Sequence, residues 1–445
     1  MPFRIALSGL DAASTDLQVT GHNIANSATT GFKESRAEFA DIYATSIQDV
    51  SSTSAGRGVK VTRVAQQFGQ GNLDFTSNNL DLAINGEGFF ILNDAAGNTS
   101  YSRAGAFSAD RDGNVVNHAN ENLQVFAPID TAGTRFNTGA TIDLVLPTLS
   151  GTPQPTENVV AALNLSASET QPAIAWPAGT TDTTAVGYSV LTDPTFESNV
   201  TTDMYNHATS TTVYDSLGNS HRATMYYRKV DTVSGPQQWR TYTYIDGTLA
   251  GDAATTNHYS TLMFQPSGAL DTTTGSPNSV NAQGRFTLDP WTPLGGADDI
   301  TLTFDYANTS QYGTDFGVND LTQDGYTAGR LSGVDVDNSG VVFARFTNGQ
   351  STALGKVALA KFNNPQGLRQ LGDTSWAQTY TAGDVQLGEP GTSSLGLIQS
   401  GALENSNVDI AEQLVNLITA QRNFQANAQV ITTADTITQT IINIR

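Results

Sequence analysis

Both ends of this chain carry a helical stripe, and almost everything between them reads as β-structure. Near the N-terminus Phe3, Leu7, Leu10, Ala13, Leu17, Thr20 and Ile24 recur at steps of three and four. Near the C-terminus the series is Ile410, Leu414, Leu417, Phe424, Ala428, Ile431, Ala434, Ile437, Ile441 and Ile444. Such steps line one face of an α-helix. From Ile410 to Ile431 the beat is seven residues, with Gln421 filling one slot, as in a coiled-coil seam. Neither end can bury its stripe alone. The two ends must pack on each other or on further copies of themselves. A lone helical hairpin would gain little from Thr20, Gln421 and Ala434 in inward slots, which favours packing among many copies.

At 445 residues the chain exceeds one ordinary core, so two or three domains are expected. Lys and Arg total 21 against 42 Asp and Glu, a net charge of -21. Nucleic acid and anionic membranes both demand a basic face, so neither is expected as a partner. Charged residues make up only 14%, and Ser, Thr, Asn, Gln and Gly take their place. That leaves a neutral, turn-rich surface of the kind found on extracellular β-proteins. The chain has no cysteine, which removes disulfides, thiolate metal sites and cysteine nucleophiles. No apolar run reaches the ~18 residues of a membrane helix, so no membrane insertion is expected. Met1–Leu10 lacks the apolar core and cleavage site of a signal peptide, so export would proceed without cleavage.

The first helix is expected from Phe3 to Ile24, with Pro2 in its first turn and Thr29-Thr30-Gly31 breaking the pattern. From Leu73 the period becomes two. Leu82–Ile84 and Phe89–Leu92 flank Asn85-Gly86-Glu87-Gly88, which predicts a β-hairpin. Pro147, Pro153 and Pro155 mark a boundary. Beyond it, short Thr- and Ser-rich strands predict an inserted β-sandwich or barrel. Strand patterning returns at Gly333–Phe346 and Lys356–Phe362, and Ser406-x-x-Asp409 predicts a capping box for a C-terminal helix beginning near Asn407. The expected class is mainly β with terminal α-helices. The expected division is a helical domain (1–28 and 405–445), a connector (29–71 and 385–404), a split β-domain (72–147 and 321–384) and an inserted outer β-domain (148–320).

Chemical motifs are few. Asp335-x-Asp337-x-Ser339-Gly340 and Asp110-x-Asp112-x-Asn114 look like the start of calcium loops. The first has Phe346 at its twelfth position, and the second has Val115 where glycine is needed. Asp/Asn/Gly turns are the simpler reading. His22, His118, His207, His221 and His258 share no metal-ligand spacing. There is no Gly-x-Ser-x-Gly elbow and no phosphate- or dinucleotide-binding glycine motif, so no catalytic residue, metal or cofactor is expected.

Several longer motifs carry a family resemblance. His22-Asn23-Ile24-Ala25-Asn26, followed by Thr29-Thr30-Gly31-Phe32-Lys33, resembles the N-terminal signature of the bacterial flagellar rod/hook axial proteins. Tyr101-Ser102-Arg103-Ala104-Gly105-Ala106-Phe107 is similar to a second motif of that family. Ser400-Gly401-Ala402-Leu403-Glu404, Ser406-Asn407-Val408-Asp409 and Ala420-Gln421-Arg422 with Gln425 and Asn427 resemble its C-terminal signature. Tyr214–Ser220, Gln323–Gly329 and Asn363–Leu368 look like segments of its hook branch.

The resemblance implies a structural subunit that self-assembles into a curved, flexible tube and passes motor torque onward as a universal joint. The other axial subunits, rod or hook-associated, are the nearest alternative, and a monomeric glycan-binding β-protein is a distant one. The implied partners are further copies of the chain, distal rod proteins, cap and junction proteins, and a type III export apparatus. The implied location is the extracellular flagellum. Phe3, Leu7, Leu10, Leu17, Ile24, Ile410, Leu414, Leu417, Phe424, Ile431, Ile437 and Ile441 are then the expected polymer-interface residues.

Overall fold

The computed structural model of the protein describes residues 2–42, 56–130, 132–148, 151–174, 176, 200–231, 237–250, 259–273, 278–392 and 394–443. His258 and Ile444 lie outside them, as does the side chain of Ile441. The chain is mainly β with a helix at each end. It divides into two units, Met1–Leu149 with Leu331–Arg445, and Ser150–Arg330.

In the first unit, α1 spans Pro2–Ala25 and α2 spans Ile410–Asn443. At 1.5 Å per residue they are about 36 Å and 51 Å long. Asp409 caps α2 by accepting the N–H groups of Ala411 and Glu412 at 2.8 and 3.2 Å. The capping box expected from Ser406 does not form. Ser406 instead accepts the N–H of Val408 at 3.3 Å, one turn before the helix. The last third of α2 is dense in Thr and Ile, which are mediocre helix formers. Thr433, Thr436, Thr438 and Thr440 return their hydroxyls to carbonyls four residues back. Such a segment leans on neighbours for its helicity.

The β-body interleaves strands from both sides of the second unit. Its main sheet runs Leu331–Val336, Val341–Phe346, Ser351–Val357, Asn122–Pro128, Phe89–Asn93, Thr99–Ser102, Ser375–Ala377 and Arg369–Gly372. Phe89–Asn93 is buried on both faces. Phe90 and Leu92 join a core with Leu123, Val125, Val342 and Val357. Phe89 and Ile91 join another with Tyr101, Phe126, Phe362 and Trp376. The hairpin expected around Asn85–Gly88 is absent. Leu82–Asn85 pairs with Leu397–Ser400, and Phe89–Asn93 pairs with other strands. Both flanking runs are strands, but they do not pair with each other: Leu82–Asn85 finds a partner distant in sequence, and Phe89–Asn93 forms its hairpin with the next strand, Thr99–Ser102. The runs expected at Gly333–Phe346 and Lys356–Phe362 each divide into two strands. Asp337 makes the first division by accepting Val341 N–H at 2.9 Å and the Ser339 hydroxyl at 2.8 Å. Asp110 likewise accepts the N–H groups of Asp112 and Asn114, so both aspartate-rich loops spend these carboxylates on their own turns.

The second unit is a β-sandwich. One sheet orders Arg285–Thr287, Thr303–Asp305, Asn158–Asn164 and Gly317–Gln323. The other is built on His207–Tyr214, Ser220–Val230 and Gln237–Ile245, with Tyr259–Phe264 alongside the last. Val159, Leu163 and Phe304 from the first sheet share one core with Val213, Tyr227, Trp239 and Leu262 from the second. The chain enters and leaves this unit side by side, where Gly151 N–H donates to Gly329 O at 2.8 Å.

Candidate assembly surface and its buried junction

The two terminal helices run antiparallel against each other. Asn23 donates to Gln413 Oε1 at 3.1 Å near one end. Further along, a Cβ placed on Gly9 would lie 2.5 Å from Asn427 Oδ1. Those two pairs are fourteen residues apart on each helix, which fixes the register. The seam is narrower and more polar than the apolar stripes suggest. On α1 the buried side chains are Ala6, Ala12, Ala13, Thr20 and Asn23. On α2 they are Gln413 and Ala420, with Leu417, Phe424, Asn427, Ala428, Ile431 and Ala434 half-buried. Small residues win the inward slots because they allow the backbones to approach closely.

This corrects the expected inward slots. Gln421 is exposed, and Gln413 and Ala420 take the buried beat one residue earlier. Leu10, Leu17 and Ile24 are half-buried at the seam's margin. Phe3 and Leu7 stay 41% and 53% exposed. On α2, Ile410, Leu414 and Ile437 remain 52%, 45% and 55% exposed, joined by Val415, Ile418, Val430 and Ile442. By the same register α1 ends near Ala434, so α2 overhangs it by about nine residues, roughly 13 Å. Phe3, Val430, Ala434 and Ile437 line a groove there of about 640 Å³. Exposed apolar side chains thus flank the seam on both sides along α2, Ile410, Leu414 and Ile418 on one flank and Val430 and Ile437 on the other.

Behind the helices sits a buried polar junction built from the signature residues. Glu404 is fully buried and uses both carboxylate oxygens. Oε1 receives Lys33 Nζ at 2.5 Å and Gly71 N–H at 2.9 Å, and Oε2 receives Arg103 Nη1 at 3.1 Å. Lys33 also donates to Gly69 O, and Arg103 to Gly86 O, each at 2.8 Å. Burial pulls the Lys33 ammonium below its ordinary pKa, opposed by the Glu404 charge beside it. Arg103 is pulled down by burial in the same way, again against Glu404.

A second network flanks this one. Asn23 donates to Ser35 O at 2.7 Å and accepts Ser35 N–H at 2.9 Å. Gln413 donates to the Glu34 carboxylate at 2.9 Å. Asn407 accepts Glu34 N–H at 2.7 Å and donates to Gln67 O at 2.8 Å. The signature positions therefore divide by role. Asn23, Lys33, Asn407 and Asp409 hold the junction or cap its helix. Phe32 is buried and meets the His22 ring, 5.5 Å between centroids. Asn26 and Thr29 hydrogen-bond to each other at 3.2 Å in the turn after α1. Ile24 and Val408 are half-buried, Ala25 is exposed, and Gln421, Arg422 and Gln425 face solvent. Glu404, Gln413 and Gly71 escaped sequence reasoning as partners, because nothing local signals a contact across more than three hundred residues.

Gly31 shows how tightly the junction is packed. Its φ is +70°, its N–H donates to Glu404 O at 2.7 Å, and an added Cβ would sit 2.4 Å from Ala104 N. Both the conformation and the space require glycine. Gly31→Val is expected to destabilise the first unit by more than about 3 kcal/mol, combining backbone strain with overpacking. Urea unfolding followed at Trp376 should report the loss, while the second unit's own transition stays in place.

Four family descriptions match the chain in order. They are flagella basal body rod protein over residues 3–33 and flagellar hook protein FlgE/F/G D1 domain over 83–148. Flagellar basal body protein FlaE D2 domain follows over 180–326, and flagellar basal body rod FlgEFG protein C-terminal over 399–444. The flagellar hook protein FlgE of Escherichia coli (strain K12) is 36% identical over 448 residues, covering 100% of both chains. That of Borreliella burgdorferi is 33% identical over 474 residues, covering 99% of this chain and 98% of the relative. Among solved structures, Helicobacter pylori flagellar hook protein FlgE2 matches in fold with a TM-score of 0.54 at 14% identity. It covers 75% of this chain and 100% of that one.

Proposed function

The chain belongs to the flagellar hook protein family, and we propose that α1 and α2 form the inner wall of a hook tube whose copies meet on the uncovered face of α2. Its role is that of a structural hook subunit in bacterial motility. The observation that carries the interface is the exposed series Ile410, Leu414, Ile418, Val430 and Ile437, with the overhang beyond α1. A monomer has no use for exposed apolar side chains spread over that length. Copies stacked around an axis bury them repeatedly. The β-body would form the next layer and the sandwich the outermost one, where curvature changes subunit spacing most. Few fixed charges on that surface mean that contacts can shift register with little loss, as a flexible joint requires. In this reading the chain is exported unfolded without cleavage, lies outside the cell, and meets rod proteins at one end and junction proteins at the other.

Electron microscopy of the purified chain, concentrated to raise assembly, is expected to show hollow tubes. Tube diameter and curvature then separate a hook from a straight rod. A chain that stays monomeric at every concentration would refute the reading.

A further inference from the structure

We propose that His221 is a proton-operated clasp that fixes the sandwich to its own linker segments: with both ring nitrogens protonated it ties the turn at Asp215 to the turn at Asp246, and it releases the Asp215 turn once the ring is neutral. The ring stands between two carboxylates, with Nδ1 2.7 Å from Asp246 Oδ2 and Nε2 3.3 Å from Asp215 Oδ2. The His221 side chain is 10% exposed and that of Asp215 2%. Burial works against ionisation of Asp215, yet hydrogen bonds from Asn219, His221 and the Leu217 N–H hold its carboxyl below the ordinary range. Asp246 is held low in the same way, burial being outweighed by His221, the Arg222 N–H and the Arg222 charge. Two ionised acceptors are both satisfied only by a ring that donates from both nitrogens. Trp291 packs on that ring at 5.1 Å between centroids and donates its Nε1–H to Thr248 Oγ1 at 2.8 Å. Asp298 and Asp299 follow in the same loop, where Asp298 N–H donates to Ser216 Oγ at 2.9 Å.

What the clasp holds is the linker. Tyr214 N–H donates to Thr156 Oγ1 and Thr156 N–H to Tyr214 O, each at 2.9 Å. A Cβ on Gly218 would lie 2.8 Å from Pro153 Cβ and 3.3 Å from Ala328 N, so the Asp215 turn sits against both the segment that enters the sandwich and the one that leaves it. Gln154 and Tyr326 join those two segments by N–H···O bonds of 3.0 and 2.9 Å. The clasp is bounded on both sides. As pH falls, the two carboxylates stay ionised to below the ordinary carboxylate range, and their bonds are lost only beyond it. As pH rises the ring gives up one proton, the shorter bond to Asp246 keeps the other, and Nε2 turns a lone pair toward Asp215. The clasp lies within the sandwich and its linker and does not depend on how copies assemble.

The test is amide hydrogen exchange on the full-length chain at about pH 6 and about pH 8.5, corrected for the intrinsic exchange rate at each. Protection of peptides covering residues 151–157, 214–219 and 324–329 is expected to fall about tenfold at the higher pH, while the strand Gln237–Ile245 keeps its protection. In His221→Gln the same peptides should be weakly protected at both pH values. Asp215→Asn keeps an oxygen for the N–H groups of Leu217 and Asn219 and turns its amide N–H toward Nε2, which suits the neutral ring. Its protection at about pH 8.5 should therefore equal or exceed that at about pH 6. The other histidines are intact in both variants, so a fall that survives in His221→Gln belongs to them. Three results would overturn the clasp. They are protection in the unmodified chain that agrees within about threefold at the two pH values, the full fall in His221→Gln, and the full fall in Asp215→Asn. If His221→Gln yields no soluble protein, the comparison of Asp215→Asn with the unmodified chain decides alone.

Discussion

Leu414→Asp is expected to abolish tube formation while leaving the free subunit folded as before. Leu414 is 45% exposed in the isolated chain, so an aspartate there meets water and disturbs little. In a tube the same carboxylate would be buried at every subunit contact. An uncompensated buried charge costs several kcal/mol, and about 3 kcal/mol already raises the critical concentration more than a hundredfold. Ile437→Asp on the overhang should behave alike. Ala420→Asp makes the contrast, because Ala420 is fully buried in the seam. That substitution should separate α1 from α2 in the monomer itself and show as lost helicity. Sedimentation and electron microscopy read the first effect, and circular dichroism the second. Normal tubes from Leu414→Asp would show that α2's outer face is not where copies meet.

Removal of the sandwich should leave a protein that still makes a tube, but one of altered curvature and stiffness. The hydrogen bond between Gly151 and Gly329 means that a short linker can replace everything between them without stretching the chain. Both helices, the buried junction and the interleaved β-body lie outside the deleted segment. The core of Val159, Trp239 and Phe304 belongs to the sandwich alone. Imaging of tubes from the deletion variant and swimming assays of cells carrying it provide the measurement. Unchanged curvature with normal motility would deny the sandwich a mechanical role, and failure to polymerise would make it part of nucleation.

The helices were legible because a period of three and four residues is a local signal. The expected span Phe3–Ile24 differs from Pro2–Ala25 by one residue at each end. Which face turns inward was only partly legible. Hydrophobicity points to Leu414 and Leu7, whereas the seam selects for size and takes Gln413, Ala420 and Ala6. Leu417, Phe424 and Ile431 lie on both patterns and are half-buried, so the two differ mainly at their flanks. Strand positions were visible from alternation, but pairing was not. Leu82–Asn85 bypasses the adjacent Phe89–Asn93 for Leu397–Ser400, a choice made by the whole β-body. The ion cluster was hidden for the same reason. Lys33 and Arg103 each stand in a recognisable motif, yet only the fold brings both to Glu404.

The seam on α2 divides the helix into two alphabets, of which the inner keeps a seven-residue beat at Gln413, Ala420 and Asn427. Among the inner letters volume is the constraint at the Gly9 crossing, where an added Cβ would sit 2.5 Å from Asn427 Oδ1, and at the fully buried Ala420. At Leu414, Ile418 and Ile437 the constraint is polarity in the proposed tube, where another copy would set the shape. Drift can exchange one apolar residue for another on the outer letters and retune how copies fit. The inner letters tolerate a hydroxyl or an amide, but not added bulk. If copies meet as proposed, the geometry of a single subunit and the geometry of its polymer are written on the same thirty-four residues. Either can change while the other is preserved.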